Sequence, residues 1–416
     1  WVHDDTDDPD LQSTEIAWSS GVWDTSEPPR LVWSAPVWIA DDTRAEFDPV
    51  LGTNADGDVV AAWLRIKDED FSATITKPEH LPRFYTRMEV VTAVFDTDAQ
   101  SWDPLAQITD DESMDTDLKL ASDASGRLML TWLSNPDGEF RSSSESPSTL
   151  MYSFWNGSGF SPPEVLAGGL EGVSSHASAI SGDSAVVLVP RDPDLLTIGD
   201  EIIELFEWDG DDWIVQTPWP PDTAGNRAPT VVYDDTGEGH VVWLRGNDLV
   251  RATLSDPVPT VLRAGSASLA FLGAQLINNP GGNITLTWQE TVDNQPADIF
   301  AMIYDPNTDT WSEDRRLTDK ADLDHPDSLV HQASATYDSD SLLHAAYVIT
   351  EIIRTDEIVE IPDDQGVLQE WEMTNIPVEG QTNLMVMTHE LIVDLAVEDQ
   401  DLEVEPIPDV PGDRLT

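Results

Sequence analysis

Apolar runs short enough to be single strands alternate with turn-forming residues along the whole chain. The phrase is clearest between Asn283 and Leu317, where NITLTW, a polar loop, DIFAMIYD, the turn PNTDT and WSEDRRL predict three consecutive antiparallel strands. A Gly-bearing turn leading into a strand that ends in an aromatic residue recurs: GDVVAAW closes at Trp63, GRLMLTW at Trp132, GHVVW at Trp243, GNITLTW at Trp288 and SLLHAAY at Tyr347. SAVVLV, closing at Val189, keeps the pattern without the aromatic, and Trp1 reads as the end of one more copy. Ahead of each Gly turn lies another apolar run, often opened by proline, as in DPVLGTNAD and APTVVYDDTG. After the closing residue come a polar loop, a third run such as MEVVTAVF, STLMYSFW or IELFEW, and a fourth such as SWDPLAQIT or GFSPPEVL.

Four strands per unit follow, with closing residues 45 to 69 positions apart. Four short strands per roughly 40 to 50 residues, with the excess in one loop, is the spacing of a propeller blade. A stacked solenoid needs a shorter or helical unit, and the chain shows no long amphipathic helix. The prediction is an all-β fold, a β-propeller over residues 1–390 made of four-stranded antiparallel blades, seven by this reading, with six and eight as the neighbouring counts. The first unit lacks its opening strand and the last, Gln332 to Met387, lacks its fourth. The terminal blades are therefore expected to be incomplete, finished by sequence upstream of Trp1 or by a strand from a neighbouring subunit, since open edges template aggregation.

Sixteen tryptophans supply large rings for the wedges between blades, each burying roughly 150 to 250 Å². Packing is their first reading, sugar stacking the second. Charge changes the picture more. Eighty acidic side chains against 20 basic ones leave a net charge of −60, and only four residues are lysine: Lys67, Lys77, Lys119 and Lys320. Such a field repels nucleic acid and anionic membranes, which excludes both as partners. Self-repulsion is tolerable where the Debye length shrinks to about 3 Å in ~1 M salt, so the composition points to a saline habitat. The chain has no cysteine, which removes disulfides, thiolate catalysis and Cys-ligated metals, and it has no apolar run near the ~20 residues of a membrane span. Opening at Trp rather than Met, it reads as a processed protein or a piece of a longer one, secreted or held at the surface of a prokaryote.

Three long loops follow the closing strand of their units, at 64–87, 133–148 and 350–381, and in a propeller they emerge on one face. Loops this long in a compact fold usually serve function or remain disordered. The first gathers Arg83, Phe84, Tyr85 and Arg87, cationic and aromatic on an acidic chain, and is the first-choice binding loop; a loop pinned by salt bridges is the alternative. The second is Ser-rich and reads as flexible. The third carries Trp371, and Trp219, set between prolines, is a further candidate contact. Asp4, Asp5, Asp7, Asp8 and Asp10 form a carboxylate loop of the kind calcium favours, as does the stretch Asp322 to Asp327, against the plainer reading of a solvated acidic loop. His325, His331 and His344 fall in one unit without the spacing of a helical zinc pair, and are read as structural.

The phrase order, ending in DI-aromatic strands and TDTWSEDRRLT, resembles the sialidase-like and related bacterial extracellular propeller repeats over about 390 residues. DPNTDTW (Asp305 to Trp311) and DTDAQSW (Asp96 to Trp102) keep the acidic turn and the Trp of the Asp-box repeat but not its other positions. The resemblance implies a propeller fold. It does not imply sialidase catalysis, because the arginine-bearing motif of that family has no counterpart here. The tail 391–416, with DLAV at Asp394 to Val397 and PGDRLT at Pro411 to Thr416, resembles the start of a CARDB-type, Ig-like domain associated with adhesion.

Two functional classes remain. One is a non-enzymatic module of a large secreted, cell-surface or filament protein, with the propeller as a platform for protein or glycan contact and for assembly with neighbouring subunits. The other is a secreted glycan-active enzyme, a glycosidase or lyase, with paired channel carboxylates about 5 to 9.5 Å apart. No catalytic residue stands out, and calcium is the one cofactor the composition suggests.

Overall fold

A computed structural model describes residues 2–4, 14–24, 30–40, 44–67, 84–192, 194, 197, 199–221, 225–292, 295–318, 329–337, 341–362, 368–389, 405–406 and 414–415. Apart from a helical turn at Phe84 and Tyr85, these residues form antiparallel strands, turns and loops.

Six blades are built from consecutive strands. The first runs Glu46–Thr53, Val59–Ile66, Met88–Asp96, then Ala106–Gln107. The second is Met114–Ser122, Leu128–Asn135, Ser148–Phe154 and Glu164–Leu170. The third is Ala177–Ser181, Ser184–Arg191, Ile202–Trp208 and Trp213–Gln216. The fourth is Asn226–Tyr233, Gly239–Arg245, Asp248–Thr253 and Thr260–Arg263. The fifth is Leu269–Asn278, Ile284–Val292, Gln295–Asp305 and Thr310–Trp311. The sixth is Leu329–Tyr337, Leu343–Pro362, Leu368–His389 and Glu405–Pro406. First strands of successive blades touch one another, so they line the axis.

The blade count corrects the expected seven. Residues 2 to 38 give a separate pair of strands, Gly21–Asp24 and Arg30–Trp33, and the short strands Val2–Asp4, Thr14–Trp18 and Val37–Trp38 of a smaller N-terminal sheet that packs on the first blade through Ile16 and Val2. Its fourth strand comes from the other end of the sequence: Arg414–Leu415 pairs with His3 and Asp4. The position expected for the missing opening strand is taken by Arg414–Leu415. The last blade likewise has a fourth strand, Glu405–Pro406, on Met385 and Val386. Of the residues quoted for a CARDB-type start, only Arg414 and Leu415 are described, and they belong to this N-terminal sheet.

The repeated phrase has a local physical cause. In each of four blades an Asx side chain opens the turn between the first two strands. Asn54 Oδ1 accepts from the backbone N–H groups of Asp56 and Asp58, Asp123 from those of Ser125 and Arg127, Asp234 from those of Thr236 and Glu238, and Asn279 from that of Gly281. Three residues on, a glycine takes the left-handed conformation, at Gly57, Gly126, Gly237 and Gly282 (φ 77° to 86°), where a Cβ is penalised.

The closing aromatic has a cause too. Trp63, Trp132, Trp243, Trp288 and Tyr347 each lie opposite a break in the register of the first strand, between Phe47 and Val50, Thr116 and Lys119, Arg227 and Thr230, Leu272 and Gln275, and His331 and Ser334. At four of the breaks one residue is left-handed: Asp48, Asp117, Ala228 and Gly273. A bulge of this kind bends the inner strand and opens space opposite it. The third blade, whose closing residue is Val189, pairs without a break. The four tryptophans are fully buried, in the hydrophobic clusters that join neighbouring sheets.

Candidate functional site

Because neighbouring strands run antiparallel, second strands end on the same face of the ring where third strands begin and outer strands finish. The long insertions therefore share one face, and the Asx turns occupy the other. On the insertion face the first blade carries a group of ion pairs. Arg65 Nε lies 3.1 Å from Glu46 Oε1, and Lys67 Nζ lies 3.0 Å from Glu89 Oε1 and 3.5 Å from Glu112 Oε1 while also donating to the Asp111 carbonyl. Arg87 Nη2 stands 4.0 Å from Glu112 Oε2.

Glu46 and Glu89 are almost wholly buried, at 1% exposure each. Burial pushes the Glu46 carboxyl up to about 7, against the opposing pull of the Ile16 N–H that Oε2 accepts at 3.1 Å. Glu46 thereby ties the N-terminal sheet to the first blade. Glu89 is also raised by burial, and accepts from the Asp111 N–H. Next to them Asp115, fully buried, is pushed up to about 8 by burial, and its Oδ2 accepts from the Thr109 hydroxyl at 2.6 Å. Thr109 Oγ1 in turn accepts from the Val90 N–H, a device repeated in the fifth blade by Thr318 and the Ile299 N–H. A cleft of about 80 Å³ lies here, lined by Arg44, Arg65, Glu89, Leu105 and Gln107.

Between the second and third blades, Asp117 holds His176 twice: Oδ2 accepts from the backbone N–H at 2.6 Å and faces Nδ1 at 2.8 Å. His176 Nε2 meets Thr131 Oγ1 at 2.7 Å, and Lys119 Nζ reaches Asp117 Oδ1 at 2.6 Å. Burial lowers the His176 pKa more than Asp117 raises it. The row has the order of a carboxylate, imidazole and hydroxyl relay, but Thr131 and the His176 ring are sealed from solvent, so it joins blades and offers no nucleophile.

The structure divides the predicted contact residues. Phe84 is a core residue at 3% exposure, in the cluster between the first and second blades, so its assignment as a contact is corrected: the apolar ring finds a pocket under Phe47. Tyr85 is half-buried, and Arg87 is held by the Glu112 carboxylate. Arg83 lies outside the described residues. Trp219 is also corrected from exposed contact to core, at 2% exposure and 5.5 Å from the Trp243 ring, its backbone N–H donating to the Ile203 carbonyl. Trp371 stands in the third strand of the sixth blade, paired with Val359.

Asp4 is a strand residue opposite Thr14 and Arg414; Asp5, Asp7, Asp8, Asp10 and the stretch 322–327 lie outside the described residues. Among the described residues no group of three or more His, Asp or Glu is placed to hold a metal. His331 and His344 sit on adjacent strands, opposite Val348 and Thr336, so the register does not pair them. The sequence reading missed Phe140. This ring, in the insertion read as Ser-rich and flexible, is 49% exposed and meets Tyr85 edge-on at 4.5 Å, which brings the first two insertions together.

No family model and no curated protein matches the chain. Among solved structures it is similar to a protein of unknown function from Dyadobacter fermentans DSM 18053, with 14% identity and a TM-score of 0.50 over 74% of this chain and 91% of that one. Similarity extends to the Hadza microbial sialidase Hz136, at 12% identity and a TM-score of 0.46, over 73% of this chain and 63% of that one. It extends also to Trypanosoma rangeli sialidase, at 12% identity and a TM-score of 0.46, over 80% of this chain and 57% of that one. The chain spans less than two thirds of either sialidase. Likeness at such identity, carried here by the Dyadobacter protein, is likeness of fold alone, and no activity comes with it.

Proposed function

We propose that this chain is a non-enzymatic recognition module of a secreted or cell-surface protein. The ring serves as the platform and the insertion face makes contact with a protein or a glycan. The observation that carries this reading is the convergence of insertions on one face, where Tyr85 of the first meets Phe140 of the second and the sixth blade sends out a long strand pair. The buried titratable groups of that face are engaged in holding the fold, with Glu46, Glu89 and Asp117 each bound to a named partner. The cleft beside them, at about 80 Å³, is far below the roughly 300 to 1,000 Å³ of a ligand pocket. A charge of −60 without cysteine favours a saline, extracellular setting.

A glycan array probed with the chain, beside an assay on fluorogenic glycosides that include a sialoside, tests the reading. Array binding lost in the Tyr85→Ala/Phe140→Ala variant, with no turnover, is the expected result. Glycoside turnover would overturn it in favour of a glycan-active enzyme.

A further inference from the structure

On the face opposite the insertions, one turn departs from its equivalents. The hairpins that join third and fourth strands lie there, and in the first, third and fifth blades each is opened by an aspartate: Asp96, Asp209 and Asp305 accept the backbone N–H groups of Asp98, Asp211 and Asn307. In the second blade the same place is held by Asn156, whose Oδ1 accepts from the Ser158 N–H and from the Ser158 hydroxyl, each at 3.1 Å. A carboxylate serves such a turn equally well. What asparagine adds is an amide nitrogen, and among the described residues Nδ2 makes no hydrogen bond: both contacts of this side chain are through Oδ1.

The setting is open. Asn156, Gly157 and Ser158 are all exposed, and empty space lies beside Gly157. Trp155 and Phe160 bridge the base of the turn, their half-buried rings edge-on at 5.2 Å. No charged residue lies between Glu145 and Glu164, in a chain where 80 of 416 residues are acidic. Asn156-Gly157-Ser158 is also one of two places where serine or threonine follows asparagine at the second position with no proline between. That spacing is the acceptor signal for N-linked glycosylation, used where it falls in a surface loop of a secreted protein. The second instance, Asn283-Ile284-Thr285, is closed: Thr285 is wholly buried and its hydroxyl meets that of Tyr337 at 2.6 Å.

We propose, resting on the secreted or cell-surface part of the reading above and not on its binding face, that Asn156 is a glycosylation site carrying an N-linked glycan. The donor is an oligosaccharide joined through its anomeric carbon to a lipid phosphate, presented by a transferase that reads this signal. Nδ2 attacks the anomeric carbon, the bond from that carbon to the phosphate oxygen breaks with its electron pair staying on the oxygen, and Nδ2 gives up one proton. An N-glycosidic bond and a free lipid phosphate result, with no change of oxidation state. The Trp155 and Phe160 rings flank the attachment point and offer an apolar surface to the first sugar.

Mass spectrometry of the peptide spanning Asn156, from the full chain secreted by cells that glycosylate a known acceptor in parallel, tests it. A peptide carrying a saccharide is expected, with the modification lost in Asn156→Gln and in Ser158→Ala. Ser158→Thr keeps the hydroxyl and should keep the glycan, which separates loss of the signal from loss of the fold. Asn283→Gln should change nothing. A bare peptide, a glycan that survives Ser158→Ala, or one attached at Asn283 instead would overturn the inference. So would aspartate or isoaspartate at position 156 without sugar, because the exposed amide would then be lost as ammonia to ring closure by the Gly157 nitrogen. A bare Asn156 beside a positive glycan array removes this inference alone, whereas glycoside turnover with a glycosylated Asn156 removes the recognition reading and leaves this one standing.

Discussion

Asp115 shows how one residue's role can depend wholly on its surroundings. Its carboxyl is raised to about 8 by burial, with the Thr109 hydroxyl as the hydrogen-bond donor it faces. A carboxyl raised in the folded state gives stability that is complete below its unfolded value of ~3.9 and is lost as pH rises toward the folded value, by up to about 1.4 kcal/mol per pH unit. Asp115→Asn removes the titration and keeps the shape. The variant should match the parent in thermal melts near pH 4 and gain steadily over it up to about pH 8; parallel melting curves across that range would refute the assignment. Nothing in MDTDLKL separates Asp115 from the surface acids, since burial is set by the bulged strand and the neighbouring blade. The same limit governed Trp219 and Phe84: a tryptophan among prolines and a phenylalanine among arginines both look like contacts, and both fill inter-blade gaps. Phe140, the exposed ring, sits in a stretch whose serines suggested only flexibility.

At the level of strands and turns the chain was far more legible. The Gly turns, the Trp-closed second strands and the DI-type third strands stand where the alternation put them, because an Asx side chain followed by a left-handed glycine is local chemistry. The inner-strand bulge left no such mark, since Asp48, Asp117 and Ala228 adopt positive φ without being glycine. The turns also differ among themselves. A Cβ at Gly57 would meet open space, whereas at Gly126 it would run into the Asn54–Ala55 backbone of the neighbouring turn. Gly57→Ala should therefore cost about 1 to 2 kcal/mol from backbone conformation alone, and Gly126→Ala clearly more, because the turn must also shift. Chemical denaturation of the two variants checks the order, and equal losses would show that the two turns do not pack as described.

For the whole molecule, 80 acidic residues on a ring of paired strands give a surface whose carboxylates repel one another. Many are anchored locally: Asp96, Asp209 and Asp305 each accept backbone N–H groups in the turn before an outer strand. This orients the charges without neutralising them. The melting temperature should therefore climb between roughly 0.1 and 1 M salt as repulsion is screened. An unchanged or lower midpoint at high salt would remove the saline setting. The blade count was the architectural feature least legible in advance, because it turns on a pairing between residues at opposite ends of the sequence.

That pairing also has a meaning in time. During synthesis at roughly 5 to 20 residues per second, Val2–Asp4 emerges early, yet the strand that covers it, Arg414–Leu415, is made only after all six blades. For something like half a minute this edge of the nascent arc lacks that strand, in the crowded surroundings of other nascent chains. A dense negative charge on each arc keeps two such edges from finding each other first, so the acidity that burdens the finished ring protects the unfinished one.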